Sequence, residues 1–324
     1  MEEDSKKGST GYWLLQGAAS LLALLPFGVL YLISDIMFVA VYHAARYRRK
    51  LVKRNLAKAF PDKSDRERKR IEREFYRHLC DYFVETIKTL RLTEKEVKKR
   101  MKFENPEIIN RLTKEGNACL LSLGHYANWE WVPSIGLYML PGVVPALVYK
   151  QLHSDAFDRL FRKIRCRFDS MTIEKRRVYR ALIRARNEGT PMVVGFLSDQ
   201  RPPRHVTEYW TTFLNQETLI ESGMERIARS FKLPVVYLDM KKVKRGHYVG
   251  RFFVITADAS QEPPFAVTER YARKLEETVT RDPAYYLWSH NRWRFAREPM
   301  GEEQPLGAGV KAPTDNPVEQ LINE

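Results

Sequence analysis

An α/β fold is predicted for this chain, with a mixed central sheet flanked by helices and an apolar segment ahead of it. Three observations predict it. Short apolar runs of strand length alternate with amphipathic helical periods from about residue 103 to 280, the pattern of strands joined through helices. At 324 residues the chain can bury one large core. A long uncharged stretch, residues 11–33, precedes everything else.

That stretch, GYWLLQGAASLLALLPFGVLYLI, is interrupted only at Asp35 before IMFVAVYHAA extends it. At helical rise it covers about 34 Å, against the roughly 30 Å of a bilayer core. A secretory signal fits poorly, because MEEDSKK is not a clean basic leader and the apolar run is too long. Pro26 would kink or split the helix. Two attached arrangements therefore stand open, a single span and a monotopic hairpin or in-plane pair, beside a buried helix pair of a soluble protein. The basic collar RYRRK (46–50) opens a charged helical region to residue 102 that holds most of the chain's net charge of +15. Positive charge beside an apolar segment places the remainder in the cytoplasm, and each such residue near an anionic bilayer contributes about 1 kcal/mol. A nucleic-acid arm has similar composition, but the neighbouring apolar run favours lipid, and no nucleic-acid partner is expected. Phe75, Leu79, Phe83, Ile87 and Leu90 recur at helical spacing and mark a core-facing stripe.

In the core, 103–115 reads as a short strand and helix stopped by Gly116. Strands follow at 118–123, 143–150, 191–199, 233–240 and 248–255, with helices at 154–164, 178–187, 222–231 and 268–279. RPPR (201–204) opens a loop, and beyond Pro299 the tail lacks periodicity. The division expected is 1–45 anchor, 46–102 basic membrane-proximal helices, 103–299 catalytic core and 300–324 flexible tail. Cys80, Cys119 and Cys166 are odd in number and far apart, which fits a reducing compartment and neither a disulfide nor a zinc site.

The stretch ACLLSLGHYANWEW (118–131) carries the chemistry. A buried strand runs into Gly124–His125, and a helix entry then presents Glu130. This could hold a histidine base at the mouth of a sheet, with a carboxylate to orient it. Gly124 allows a sharp turn and close substrate approach, and Asn128 is a plausible cap for the next helix. Spacing alone does not decide, because His153 and Asp158 repeat the pattern after another strand. His153 reads more simply as part of a strand-to-helix loop.

With these residues in view, the chain resembles the lipid A late (secondary) acyltransferases, the lauroyl/myristoyl transferases of Gram-negative bacteria. More distantly it is similar to the glycerol-phosphate acyltransferases. Besides His125-x4-Glu130, the resemblance rests on Tyr149-Lys150 with Asp158 and Arg165, on SDQRPPR (198–204), and on YLWSHNRWRF (286–295). Asn291 stands where the family often has arginine, and FLNQET (213–218) where it usually has Phe-Phe-Gly. The resemblance implies a bacterial inner-membrane O-acyltransferase with its catalytic domain on the cytoplasmic face. Its donor would be an acyl-carrier-protein thioester and its acceptor a hydroxyl of a phosphorylated lipid A precursor. It implies His125 as general base with Glu130 orienting it, and Arg165, Asp199, Arg201 and Arg204 as substrate-binding residues. No metal and no cofactor beyond the donor are implied. The same fold acylating another lipid, an aminolipid or glycolipid, is an alternative; a non-enzymatic basic membrane- or nucleic-acid-binding protein is a more distant one.

Overall fold

The computed structural model describes residues 2–114, 117–202 and 209–294. The expected Gly116 stop, Arg204, Phe295 and the tail 300–324 lie outside the described residues. Among the described residues, seven strands form a mixed sheet: β1 (Met101–Glu104), β2 (Ala118–Leu123), β3 (Val144–Tyr149), β4 (Met171–Glu174), β5 (Met192–Leu197), β8 (Val235–Lys244) and β9 (His247–Thr256). Their spatial order is β1-β9-β8-β2-β5-β3-β4. Every pairing is parallel except the β8–β9 hairpin. The centre of the sheet, β2 and β5, is almost wholly buried, which is why both segments read as unbroken apolar runs rather than alternating ones.

Helices α7 (Asp155–Arg165) and α8 (Val178–Glu188) carry the chain from β3 through β4 to β5. The helix α9 (Gly223–Phe231) leads into β8, and α10 (Ala266–Arg281) follows β9. Two small strands, β6 (Tyr209–Phe213) and β7 (Gln216–Ile220), form a separate antiparallel hairpin where only loop was expected. The short strand β4 was likewise not foreseen, its four residues being too few to set a period.

Ahead of the sheet, the apolar segment is two helices rather than one: α1 (Glu2–Leu24) and α2 (Phe27–Phe38), parted at Pro26 and followed by a wide helical turn (Val39–Ala44). Proline lacks the amide hydrogen that a continuous helix would use there. Buried Lys88 donates to the carbonyls of Ala23 and Leu25 at 2.9 Å each and so satisfies the end of α1 at the bend. Lys88 belongs to α4 (Asp65–Lys88), whose start is closed by a Ser64–Glu67 capping box. The first helix packs on α7 and α4, and α2 packs on α4. Ala19, Ala23, Leu30, Ser34 and Phe38 face inward, while Leu14, Leu21, Leu32 and Ile36 are exposed. Asp35, the acid in the run, pairs with Arg245 at 2.8 Å. The collar is partly used inside the fold: Arg48 donates to the Ser289 carbonyl, and Arg49 pairs with Glu72. With α3 (Arg49–Ala59), α4 contributes to the same hydrophobic core as the sheet.

Candidate active site

Parallel strands bring the site together at their carboxyl ends. Register pairs Leu123 of β2 with Leu197 of β5. Two residues farther along each strand come His125 and Asp199, so the two side chains emerge side by side. His125 Nδ1 lies 2.6 Å from Asp199 Oδ1, and the His125 amide donates to the same oxygen at 3.1 Å. Burial alone would raise the Asp199 carboxyl. Its contacts with His125 and the nearby Arg292 outweigh that and hold it below the ordinary value. An ionised carboxylate only accepts, so Nδ1 carries the hydrogen and Nε2 presents a lone pair. Nε2 accepts from the Gln200 side-chain amide at 3.1 Å. The His125 side chain is 16% exposed and that of Asp199 is 3% exposed, so the imidazole reaches solvent and its partner does not.

Glu130 is not that partner. It lies in a short-pitch 3₁₀ segment (Trp129–Tyr138), in place of the expected α-helix, with Pro133 inside it. There it is buried and meets Arg165 of α7 through two bonds, Nε to Oε2 at 2.8 Å and Nη2 to Oε1 at 2.6 Å. Paired donors of this kind are strong and fix orientation. Burial lowers the affinity of Arg165 for its proton, but the two bonds to Glu130 more than reverse that, keeping the guanidinium charged. The Tyr82 hydroxyl reaches Glu130 at 3.4 Å, and the Tyr82 ring stacks on Trp129, whose other neighbour is the His125 ring. Aromatic rings thus join the two pairs, His125–Asp199 and Glu130–Arg165.

The loop between them turns on Ala127, which has φ +53°. A left-handed alanine costs about 1–2 kcal/mol and persists where its surroundings over-determine it. Here the Ala127 amide donates to the Tyr285 carbonyl at 3.0 Å, and the Leu287 amide donates to the His125 carbonyl at 3.1 Å. Gly124 packs closely on α10, where an added Cβ would stand 2.5 Å from Leu275 Cδ1. Asn128 makes no side-chain cap; its amide donates to Glu85 instead.

Asp158 is buried and accepts the Leu152 amide at 2.9 Å, while His153 is exposed, so the rival pair is not formed. The Arg201 amide donates to His290 Nε2 at 3.1 Å, which ties the loop after β5 to the C-terminal signature. In that signature Trp288 and Arg292 are buried, and Trp293 donates to Thr218 at 2.7 Å. Gln200, Tyr82 and Arg292 are neighbours of the site that were not named as candidate residues; Gln200 lies within the SDQRPPR motif and Arg292 within YLWSHNRWRF, and only Tyr82 had no signal. Among the described residues, no group of three or more His, Cys, Asp or Glu is arranged to hold a metal ion.

The model of the bacterial lipid A biosynthesis acyltransferase family matches residues 3–295. This chain belongs to that family. The expected resemblance is therefore met over nearly the whole chain, and the acyltransferase class follows from it. No curated protein is matched as a relative. For an acyltransferase, a part-exposed histidine whose Nε2 lone pair meets only a side-chain amide, beside a buried carboxylate, is suitable equipment for drawing a proton from an attacking hydroxyl.

Proposed function

We propose that this acyltransferase is membrane-attached and moves a fatty acyl chain from the thioester of an acyl-carrier protein to a hydroxyl of a phosphorylated lipid A precursor. It would work at the cytoplasmic face of the bacterial inner membrane. Residues 1–45 would attach it, 46–102 would lie against the headgroups, and 103–299 would hold the chemistry. The reading is carried by the His125–Asp199 pair at 2.6 Å, found at adjoining strand ends in a family whose chemistry is acyl transfer.

The acceptor hydroxyl displaces the Gln200 amide from His125 Nε2. As its oxygen attacks the thioester carbonyl carbon, its proton passes to Nε2. Asp199 stabilises the imidazolium that forms and fixes its tautomer, the part a carboxylate plays in a hydrolase triad, here without a serine. The tetrahedral intermediate then collapses, the carbon–sulfur bond breaks, and the leaving thiolate recovers the proton from His125. Arg165, aimed by Glu130, stabilises the oxyanion or holds an acceptor phosphate. Arg201 and Arg204 are assigned to the acceptor's phosphates. The expected orienting role thus passes from Glu130 to Asp199, and Glu130 becomes the positioning group of Arg165. The net charge of +15 suits an acidic carrier protein, a phosphorylated acceptor and an anionic bilayer alike.

The test incubates detergent-solubilised protein with dodecanoyl–acyl-carrier protein and a lipid A precursor, and reads the product by mass spectrometry. Wild type should add the mass of one acyl chain. His125→Ala and Asp199→Asn should each lower kcat by about a hundredfold or more. Full transfer by His125→Ala would sink the mechanism. Loss of activity in His153→Ala alone would move the base to the rival histidine.

A further inference from the structure

The loop that carries His125 is held from behind by buried polar residues of α4 that the reaction does not touch. His78 and Glu85 lie two turns apart on that helix, facing the loop. His78 Nε2 donates to the Ala127 carbonyl at 3.1 Å, and Asn128 Nδ2 donates to Glu85 Oε2 at 2.7 Å. Each anchor is itself anchored. His78 Nδ1 accepts from Lys242 Nζ of β8 at 3.2 Å. The Glu85 carboxylate also accepts from the hydroxyls of Tyr248 on β9 at 2.8 Å and Tyr31 on α2 at 3.1 Å. His78, Glu85 and Asn128 are all at most 4% exposed.

Stability is a poor reason for this arrangement. Glu85 is a buried acid one helical turn from Asp81, whose charge Arg245 and Lys242 meet at 2.6 and 3.5 Å, and Asn128 Oδ1 is buried without a hydrogen-bond partner among the described residues. Apolar side chains would fill such a site at no electrostatic cost. A tightly bonded buried network instead specifies one geometry, and what it touches here is the left-handed turn immediately after the catalytic histidine.

We infer that His78 and Glu85 are positioning residues for His125: by holding the Ala127 carbonyl and the Asn128 amide they set the loop that aims the imidazole at Asp199. The inference rests on the reading of His125 as the base. Tyr31 extends the same network to the apolar helix α2, so the seat of that helix and the aim of the base share one carboxylate.

The test uses the full-length protein in detergent with dodecanoyl–acyl-carrier protein and a lipid A precursor, alongside proton NMR of the hydrogen shared by His125 and Asp199, assigned by its absence in His125→Ala. Asn128→Ala and His78→Leu should lower kcat by about tenfold to a hundredfold with donor KM within about threefold. Both should shift or broaden the His125 proton signal. His78→Gln, which can still donate to Ala127 and accept from Lys242, should restore most of the rate and the signal. A lowered melting temperature with unchanged kcat and an unchanged signal in Asn128→Ala and His78→Leu would overturn the inference and leave these residues structural. The NMR arm reads the His125–Asp199 contact without turnover. Absence of transfer by the wild type would therefore count against the proposed reaction alone, while the signal still decides the positioning role.

Discussion

His290 is held neutral by its surroundings. Burial is the main cause, Arg292 adds to it and Asp199 opposes it, and the ring's pKa falls to about 4. Its Nε2 accepts the Arg201 amide, a bond that requires the lone pair. In the unfolded chain the same ring takes up a proton near pH 6.5. Between about 6.5 and 4 the unfolded state therefore binds more protons, and stability falls as pH falls through that window. Fully buried His78, pushed well below its ordinary value by burial and by Lys242, adds in the same direction. His290→Gln keeps an acceptor for Arg201 but has nothing to titrate. Its melting temperature should drop less than that of wild type between pH 6.5 and 4, by calorimetry; equal drops would remove His290 from the acid response. At this scale the place of His125 at a strand end was legible in the sequence and its carboxylate neighbour was not. His125 stood out because glycine and histidine follow a buried strand. The choice between Glu130 and Asp199 depends on the register of β2 with β5, a contact 74 residues apart in the chain that local spacing does not encode. The matching ends Leu123-x-His125 and Leu197-x-Asp199 become a signal only once the strands are known to be neighbours.

Among the elements, long helices and buried strands agree with the sequence reading to within a few residues, because one-sided burial imposes a period on a helix and two-sided burial an unbroken apolar run on a strand; Phe83 of the predicted core-facing stripe is the exception and is exposed. The β6–β7 hairpin escaped it. Its two-residue turn is Leu214–Asn215, both with positive φ, +51° and +59°. Hairpin turns of this kind favour Asn-Gly or Asp-Gly, and Leu-Asn gives no such signal. The same two residues fall within the departure from the family's usual Phe-Phe-Gly. Asparagine tolerates the left-handed region better than most residues, and here its amide also donates to the Ala59 carbonyl at 3.0 Å. The departure is thus compatible with the backbone the turn requires. Asn215→Gly should change stability by no more than about 1 kcal/mol, easier backbone offsetting the lost bond. Asn215→Val should cost about 2 kcal/mol, adding left-handed strain to the same loss. Urea unfolding of the two variants measures the difference, and equal midpoints would mean that the turn relaxes on substitution.

For the whole molecule, the apolar segment carries the largest run of exposed leucine and isoleucine ahead of the sheet. The wide turn and α2 make an apolar helix, residues Phe27–Ala44, long enough to cross a membrane by length and composition, with 22% of it buried in the protein. Yet α1 and α2 do not stand away from the domain; each lays one face on it, and Lys88 closes the bend between them. Leucine and isoleucine are as apolar on the inner face as on the outer, so composition alone could not distinguish the two faces. The outer face of α2 is where a bilayer would be met: Leu32 is 61% and Ile36 63% exposed. Acidic residues there should leave the fold intact and oppose lipid contact, at about 2.5–3.5 kcal/mol each if the face lies deep in hydrocarbon. The double variant Leu32→Asp, Ile36→Asp should therefore lose most of its flotation with anionic vesicles while keeping the wild-type melting temperature. Leu30→Asp, on the inner face, should instead lower the melting temperature. Undiminished flotation of the double variant would remove α2 from any lipid contact and leave α1 or the basic collar, which high salt distinguishes because screening weakens only the collar's contribution.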